Sequence, residues 1–364
     1  MADRRAETAR TLMKEQSLRR TRSDLGENFA PGWYVLAASD QVGVKPKPFL
    51  LNGLPLVTFR DAKRRPAVLV DRCAHRNAPL SLGRVIGSNI QCDYHGWQFD
   101  RAGKCREVPG LCGDTEHPKR RVPSYACRDA QGWLWVYSVP DVEPDSTPYE
   151  IPFADQKGYL TVRERIEMPG PLDAVAENAL DVPHTAFVHA GLFRKNKNRH
   201  PIEVIVHTSR DRVEAEFVGE ERPKGLVGRF LAPKGGQVFH CDRFILPCIA
   251  QVEYRLSERS HIITTAALTP RTPTVTDLFA TVAVNVPVPH AILRTIVKPS
   301  AMHIVRQDAK ILRRQTEQVR RFGGEEFVST EIDVLGLRIK KLLREAATGR
   351  LREGDEERRI KMLV

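Results

Sequence analysis

The sequence predicts an α+β protein of two domains: a small antiparallel β domain first, then a larger one built on an antiparallel sheet and closed by a long C-terminal helix. Three observations predict it. The chain has 364 residues, more than one hydrophobic core usually supports. Short β-rich runs punctuated by Gly and Pro fill the chain as far as Val139. Longer alternating strands follow, and a helical segment comes last, the order of an α+β layer rather than of repeated βαβ units.

Each element has its own justification. Residues 1–32 form a basic, helix-prone arm that ends at the turn-like Ala30-Pro31-Gly32. Within residues 33–139, WYVLAA, FLLNGLPLVTF, PAVLVD and GWLWVYSV are rich in β-branched and aromatic residues, which fit a pleated, half-buried surface. Residues 140–152 carry Pro140, Pro144, Pro148 and Pro152 and read as a linker. Residues 153–330 make the second domain. A helix is expected around ENALD; the runs EVIVHTS, RVEAEFVG, IAQVEYRLS, HIITTAAL and LFATVAVNV then read as strands, and VRQDAKILRRQTEQVRRF as the late helix. Residues 331–364 are an amphipathic C-terminal extension. There Ile332, Leu335, Ile339 and Leu342 recur at helical spacing beside Arg338, Lys341 and Arg344, a pattern expected to pack on the protein itself or a sister subunit in preference to a membrane surface.

Composition narrows the function classes. Hydrophobic residues make up 41% of the chain, enough for real cores. The most apolar run, LFATVAVNVPVPHAIL, is broken by Pro287, Pro289 and His290, so no membrane-spanning helix is expected. No signal-peptide pattern opens the sequence, and the expectation is a cytoplasmic protein with reduced thiols. The net charge is +12, but its lysines and arginines are dispersed, and clusters such as Arg194-Lys195 and Arg338 to Lys341 have no stacking motif beside them. Nucleic acid is therefore not expected as a partner. A basic surface suits an acidic electron-delivery protein better, because complementary charge speeds such encounters.

Two stretches carry chemistry. In CAHRNAPLSLGRVIGSNIQCDYH, Cys73 and His75 stand one residue apart, and Cys92 and His95 follow with two residues between them. Two thiolates suit one iron of a [2Fe-2S] cluster and two imidazoles the other. Structural zinc sites use the same residue types, usually as Cys-Cys and His-His pairs rather than two mixed pairs. Gly83, Gly87 and Gly96 are expected to let backbone approach the cluster, and Trp97 and Phe99 to shield it. In ENALDVPHTAFVH, Asp181 and His184 are three residues apart and His189 five further on. Pro183 disfavours helix at Val182, so a loosened turn can bring both imidazoles to one point. Two histidines and a carboxylate on one face of a metal form the facial triad of non-haem Fe(II) oxygenases. Spacing alone does not select the carboxylate: Asp181 and a distant residue both remain candidates.

Together the two stretches resemble the catalytic alpha subunits of the Rieske non-haem iron oxygenases, over nearly the whole chain. The family's E-N-x-x-D-x-x-H-x-x-x-x-H string falls on Glu177, Asn178, Asp181, His184 and His189. The resemblance implies a helix-grip, START-like second domain; a cluster held by Cys73, His75, Cys92 and His95; and a mononuclear Fe(II) held by His184, His189 and an aspartate from the late helix, Asp308. It makes Asp181 the acid bridging to a cluster histidine of the neighbouring subunit in a head-to-tail homotrimer. It further implies O2 as co-substrate and an NAD(P)H-dependent reductase, with or without a ferredoxin, since the chain has no dinucleotide-binding glycine motif. One departure is Asp93, where the family most often has Pro. The expected substrate is apolar, tilted toward a sterol- or terpenoid-like polycycle over a smaller aromatic, in a pocket lined by residues such as Phe187, Phe244 and Leu246. A pure electron carrier is the rival reading.

Overall fold

The computed structural model describes residues 29–189, 200–220 and 238–363. The basic arm over 1–28 and the Arg194-Lys195 pair lie outside the described residues. The chain divides into two compact units at Tyr149 and Glu150.

The first unit is all β. One sheet has six strands in the order β1-β10-β9-β4-β3-β2: β1 (Trp33–Ala38), β2 (Lys47–Leu51), β3 (Leu54–Arg60), β4 (Pro66–Val70), β9 (Ser124–Ala130) and β10 (Trp133–Pro140). Its core is aromatic and aliphatic, with Tyr34, Phe59, Trp133 and Trp135 fully buried. A second sheet joins β5 (Arg84–Ile86), β6 (Asn89–Gln91), β7 (Gln98–Phe99) and β8 (Cys105–Glu107) in sequence order. Both Cys-His hooks sit on this unit, the first after β4 and the second between β6 and β7. Every pairing is antiparallel.

The second unit is an eight-stranded antiparallel sheet that grips its helices on one face. Its strands are β11 (Leu160–Met168), β12 (Pro201–Thr208), β13 (Arg212–Val218), β14 (Phe239–Ile245), β15 (Ile249–Ser257), β16 (Ser260–Thr272), β17 (Val275–Asn285) and β18 (Glu356–Leu363), in the order β11-β17-β16-β15-β14-β13-β12-β18. Helix α1 (Leu172–Leu180) packs on β14 to β17; the short α2 (Thr185–Val188) contacts α3 (His290–Arg321), and α4 (Gly336–Thr348) lies on α1 and β13. Leu293 and Val297 of α3 bury against Leu160, Val282 and Val284, which marks the helix-bearing face.

One sequence expectation changes here. The late helix begins at His290, well before Val305, and runs through Pro299. An internal proline costs a helix about 3 kcal/mol, and burial of Leu293 and Val297 in the sheet core offsets it. The segment 331–364 packs on its own protein, as expected: α4 buries Ile339, Leu342, Leu343 and Ala347 against the unit, and β18 pairs with β12 from Glu356 to Leu363. Leu335, Ile339 and Leu342 of the apolar stripe are therefore turned inward, as their helical spacing indicated, while Ile332 stays exposed. Among the described residues no helix is long and apolar enough to cross a membrane.

Candidate metal centres

The two hooks of the first unit are one turn used twice. In each, the amide of the residue four after the cysteine donates to the cysteine carbonyl: Asn77 to Cys73 and Gly96 to Cys92, both at 3.0 Å. In each, the cysteine amide donates to the carbonyl five residues on, Cys73 to Ala78 and Cys92 to Trp97, both at 2.8 Å. Asn77 and Gly96 take left-handed backbone at φ 60° and 73°, the conformation that Gly and Asn reach most cheaply. The turns bring the side chains together. Cys73 and Cys92 are buried, and the His75 and His95 rings lie 4.5 Å apart. Trp97 stacks on His75 at 4.7 Å and nearly parallel, while Phe99 is fully buried core.

These residues fit a [2Fe-2S] cluster. Burial pushes the Cys73 thiol up to about 11, with the Cys92 thiol adjoining it, so a bound metal rather than solvent must stabilise the thiolates. The buried Nδ1 of His75 has no hydrogen-bond partner, which leaves its lone pair or proton for a ligand. Gly83 is small for a different reason than cluster access: a Cβ there would lie 1.9 Å from the Gln91 carbonyl oxygen, so it lets the chain close on β6 just before the second hook. Asp93 is exposed beside His95.

In the second unit, α1 ends at Leu180 and Asp181 is already extended, at φ −88° and ψ 108°. The restriction that Pro183 places on Val182 accounts for the break. Asp181 and His184 consequently do not share a helix face. Instead the Nδ1–H of His184 donates to the Asp181 backbone carbonyl, with the Asp181 carboxylate 3.5 Å away. His189 is 2% exposed, and its Nδ1 lies 2.8 Å from Oε1 of Gln307. Both Nε2 atoms then face inward, 3.3 Å apart. Oδ1 of Asp308, delivered by α3, sits 3.5 Å from Nε2 of His184 and 3.0 Å from Nε2 of His189.

Three ligand atoms thus converge within 4.8 Å of one another. With both Nδ1 atoms protonated, the Nε2 atoms and the carboxylate oxygen are all acceptors, and the buried Asp308 Oδ1 makes no hydrogen bond of good geometry. Such a set calls for a cation. Burial pulls the pKa of His184 down, but Asp181 and Asp308 outweigh it and raise it to about 9, so the acids alone would fill the site with a proton. Two nitrogens and one carboxylate oxygen suit Fe(II) and leave its remaining positions open. Asp181 also borders a cavity of about 40 Å³ with Glu177, Asp333 and Gly336, where burial and the neighbouring acids raise the pKa of Glu177.

Of the residues expected at the pocket, Phe187 is 61% exposed, Phe244 is wholly buried and Leu246 is half-buried. Two features escaped the sequence reading. Gln307 gave no signal beyond its place beside Asp308. His240, 1% exposed and donating to Glu220 at 2.6 Å and Asp242 at 2.9 Å, was foreshadowed only by the alternate spacing of His240 and Asp242 on a strand.

Residues 32–125 match the family described as Rieske [2Fe-2S] domain, and residues 168–349, half of the chain, match the vanillate O-demethylase oxygenase C-terminal domain. The chain is 37% identical over 177 residues to methylxanthine N1-demethylase NdmA of Pseudomonas putida, covering 47% of this chain and 48% of that protein. It is 32% identical over 180 residues to a chlorophyllide a oxygenase of Chlamydomonas reinhardtii, covering 47% and 26%. With the 5,5'-dehydrodivanillate O-demethylase oxygenase subunit of a Sphingobium species it shares 30% identity over 173 residues, covering 46% and 40%. The chain thus spans less than half the length of these relatives. Among solved structures, dicamba monooxygenase bound to 3,6-dichlorosalicylic acid superposes with a TM-score of 0.73 at 21% identity, over 87% of this chain and 97% of that one. A mutant of Pseudomonas putida NdmA with theobromine gives 0.70 at 22%, over 90% and 92%. Both share this fold.

Proposed function

Because the chain belongs to the Rieske non-haem iron oxygenases, we propose that it is the terminal oxygenase of a multicomponent system that hydroxylates or oxidatively demethylates an apolar aromatic substrate. It takes O2 and receives electrons from an NAD(P)H-dependent reductase, directly or through a ferredoxin. The observation that carries this is the convergence of Asp308 with His184 and His189 in a second unit that an electron carrier would not need.

When bound, the cluster supplies single electrons and the mononuclear Fe(II) supplies oxygen activation. Cys73 and Cys92 would hold one cluster iron and His75 and His95 the other; His184, His189 and Asp308 would hold the mononuclear ion. Asp181 orients His184 through its backbone carbonyl and keeps its own carboxylate one-third exposed, which supports its role as the acid linking to a cluster histidine of the next subunit in a head-to-tail trimer. In overall balance, a methyl C–H, O2, two electrons and two protons give a hydroxymethyl group and water. A hydroxymethyl on nitrogen or oxygen then departs as formaldehyde.

For the substrate, demethylation of a methyl-bearing aromatic ring is favoured over a sterol- or terpenoid-like polycycle. Residues 331–364 are spent on completing the sheet and covering α1, which leaves no separate segment to enclose a bulky polycycle. The relatives' names also speak of N- and O-demethylation. A reducing, cytoplasmic setting is part of the proposal, supported by seven unbridged cysteines.

The test supplies the iron-loaded protein with reductase and NADH, then measures O2 uptake and formaldehyde against methylxanthines, methoxybenzoates and a steroid. Equimolar O2 consumption and formaldehyde release with a methylated aromatic is the expected result. Reduction of the cluster with no substrate-dependent O2 uptake from any compound would move the protein to the carrier class.

A further inference from the structure

The contact behind His189 does more than fill space. Gln307 stands 118 positions from His189 in sequence and immediately before Asp308 on α3. Successive residues on a helix point about 100° apart. Helix α3 therefore sends Asp308 toward the two imidazoles and Gln307 to the back of one of them. An amide oxygen only accepts, so the Nδ1 it meets must carry the proton, and Nε2 keeps its lone pair. His184 is fixed by other means, since its Nδ1–H goes to a backbone carbonyl three residues earlier that no side-chain replacement removes.

We propose that Gln307 is a positioning residue for the mononuclear centre: its amide oxygen holds His189 in the Nδ1–H tautomer and so presents Nε2 to Fe(II). The inference rests on the reading of His184, His189 and Asp308 as iron ligands. It also gives α3 a double role. The helix contributes one ligand through Asp308 and sets the ligating atom of another through Gln307, so seating α3 completes the site in a single step. Loss of that acceptor lets the tautomer protonated on Nε2, which cannot bind metal through that atom, become populated.

The test is anaerobic Fe(II) titration, in competition with a chelator, of protein whose cluster is intact and whose mononuclear iron has been stripped. Gln307→Leu is expected to weaken Fe(II) binding about 10- to 100-fold, the usual cost of losing a hydrogen-bond partner behind a metal-bound histidine. Its cluster absorbance is expected to match the parent's. Gln307→Glu keeps an acceptor of the same reach and should bind Fe(II) close to the parent, with the iron-nitrosyl electron paramagnetic resonance line shape restored. That rescue separates loss of the acceptor from loss of packing. Asp308→Ala checks the underlying reading. If it binds Fe(II) as tightly as the parent, the ligand assignment fails and the inference with it. If it abolishes binding while Gln307→Leu binds like the parent, or if the Leu and Glu variants lose affinity equally, the positioning role alone is overturned.

Discussion

Replacing His240 with leucine would remove the cation from a buried ion triplet. His240 stands on β14 between Glu220 and Asp242, and its ring is sandwiched between Phe217 at 4.4 Å and Tyr254 at 4.0 Å. Register places it on the helix-bearing face: His240 lies opposite Tyr254, Tyr254 opposite Ile262, and Ile262 opposite Val284 of the α3 core. Burial pulls the imidazole's pKa down, but Asp242 and Glu220 outweigh it and raise it to about 9. Taking away one partner of a buried ion pair costs about 3–5 kcal/mol. For a unit of this size that corresponds to a fall in Tm of roughly 6–20 °C. The pH dependence gives a second handle. A pKa raised above the unfolded value of about 6.5 adds stability that is fully present below that pH and lost as pH rises through 9, on the order of 2–3 kcal/mol between pH 7 and pH 10. His240→Leu should lack this component, so the gap between parent and variant narrows toward pH 10. Calorimetry or circular dichroism of the second unit, with cluster absorbance followed separately for the first, measures both effects. A loss below about 1 kcal/mol, or a gap unchanged between pH 7 and pH 10, would refute the reasoning.

Three further substitutions address the two centres. Asp308→Ala should abolish mononuclear iron in metal analysis while leaving two cluster irons per chain and the reduced-cluster resonance signal. Asp181→Asn keeps the backbone carbonyl that orients His184, so iron content should hold; turnover with reductase should fall about 10- to 100-fold, and an unchanged turnover would remove Asp181 from the electron path. Gly83→Ala pushes a Cβ to 1.9 Å from the Gln91 carbonyl oxygen, so about 1–3 kcal/mol of stability and part of the 2Fe-2S absorbance should be lost together.

The cluster hooks were legible in the sequence because each is complete within six residues. Cys73 to Ala78 and Cys92 to Trp97 are turns closed by their own backbone bonds, so ligand spacing and turn residues report the geometry directly. The antiparallel strands were legible through alternation where one face is buried, as in β12 and β13, which bury every second residue. What spacing could not convey was long-range: that α3 starts at His290 and carries Pro299, because the compensating contacts of Leu293 lie on strands over a hundred residues away in the case of Leu160. The same holds for Asp308. On the helix it looks like a solvated acid among arginines, and only resemblance, then the fold, turned it toward two histidines.

Asp181 shows how the end of a helix changes what a residue can do. Had it continued α1, its carbonyl would have accepted the amide four residues on, that of Thr185, as helices require. Thr185 instead donates to Val182 at 3.3 Å, because Pro183 has ended the helix. The Asp181 carbonyl is thereby released, and it takes the Nδ1–H of His184. A helical Asp181 and His184 would have met through their side chains alone, with the carboxylate consumed in orienting the imidazole. The broken helix divides the work: backbone orients the ligand, and the carboxylate stays partly exposed, available to a group from outside the unit. The proline in the ENALDVPHTAFVH stretch therefore shapes the candidate site together with the histidines, since it turns the Asp181 carbonyl into a hydrogen-bond acceptor for His184 and leaves the carboxylate one-third exposed.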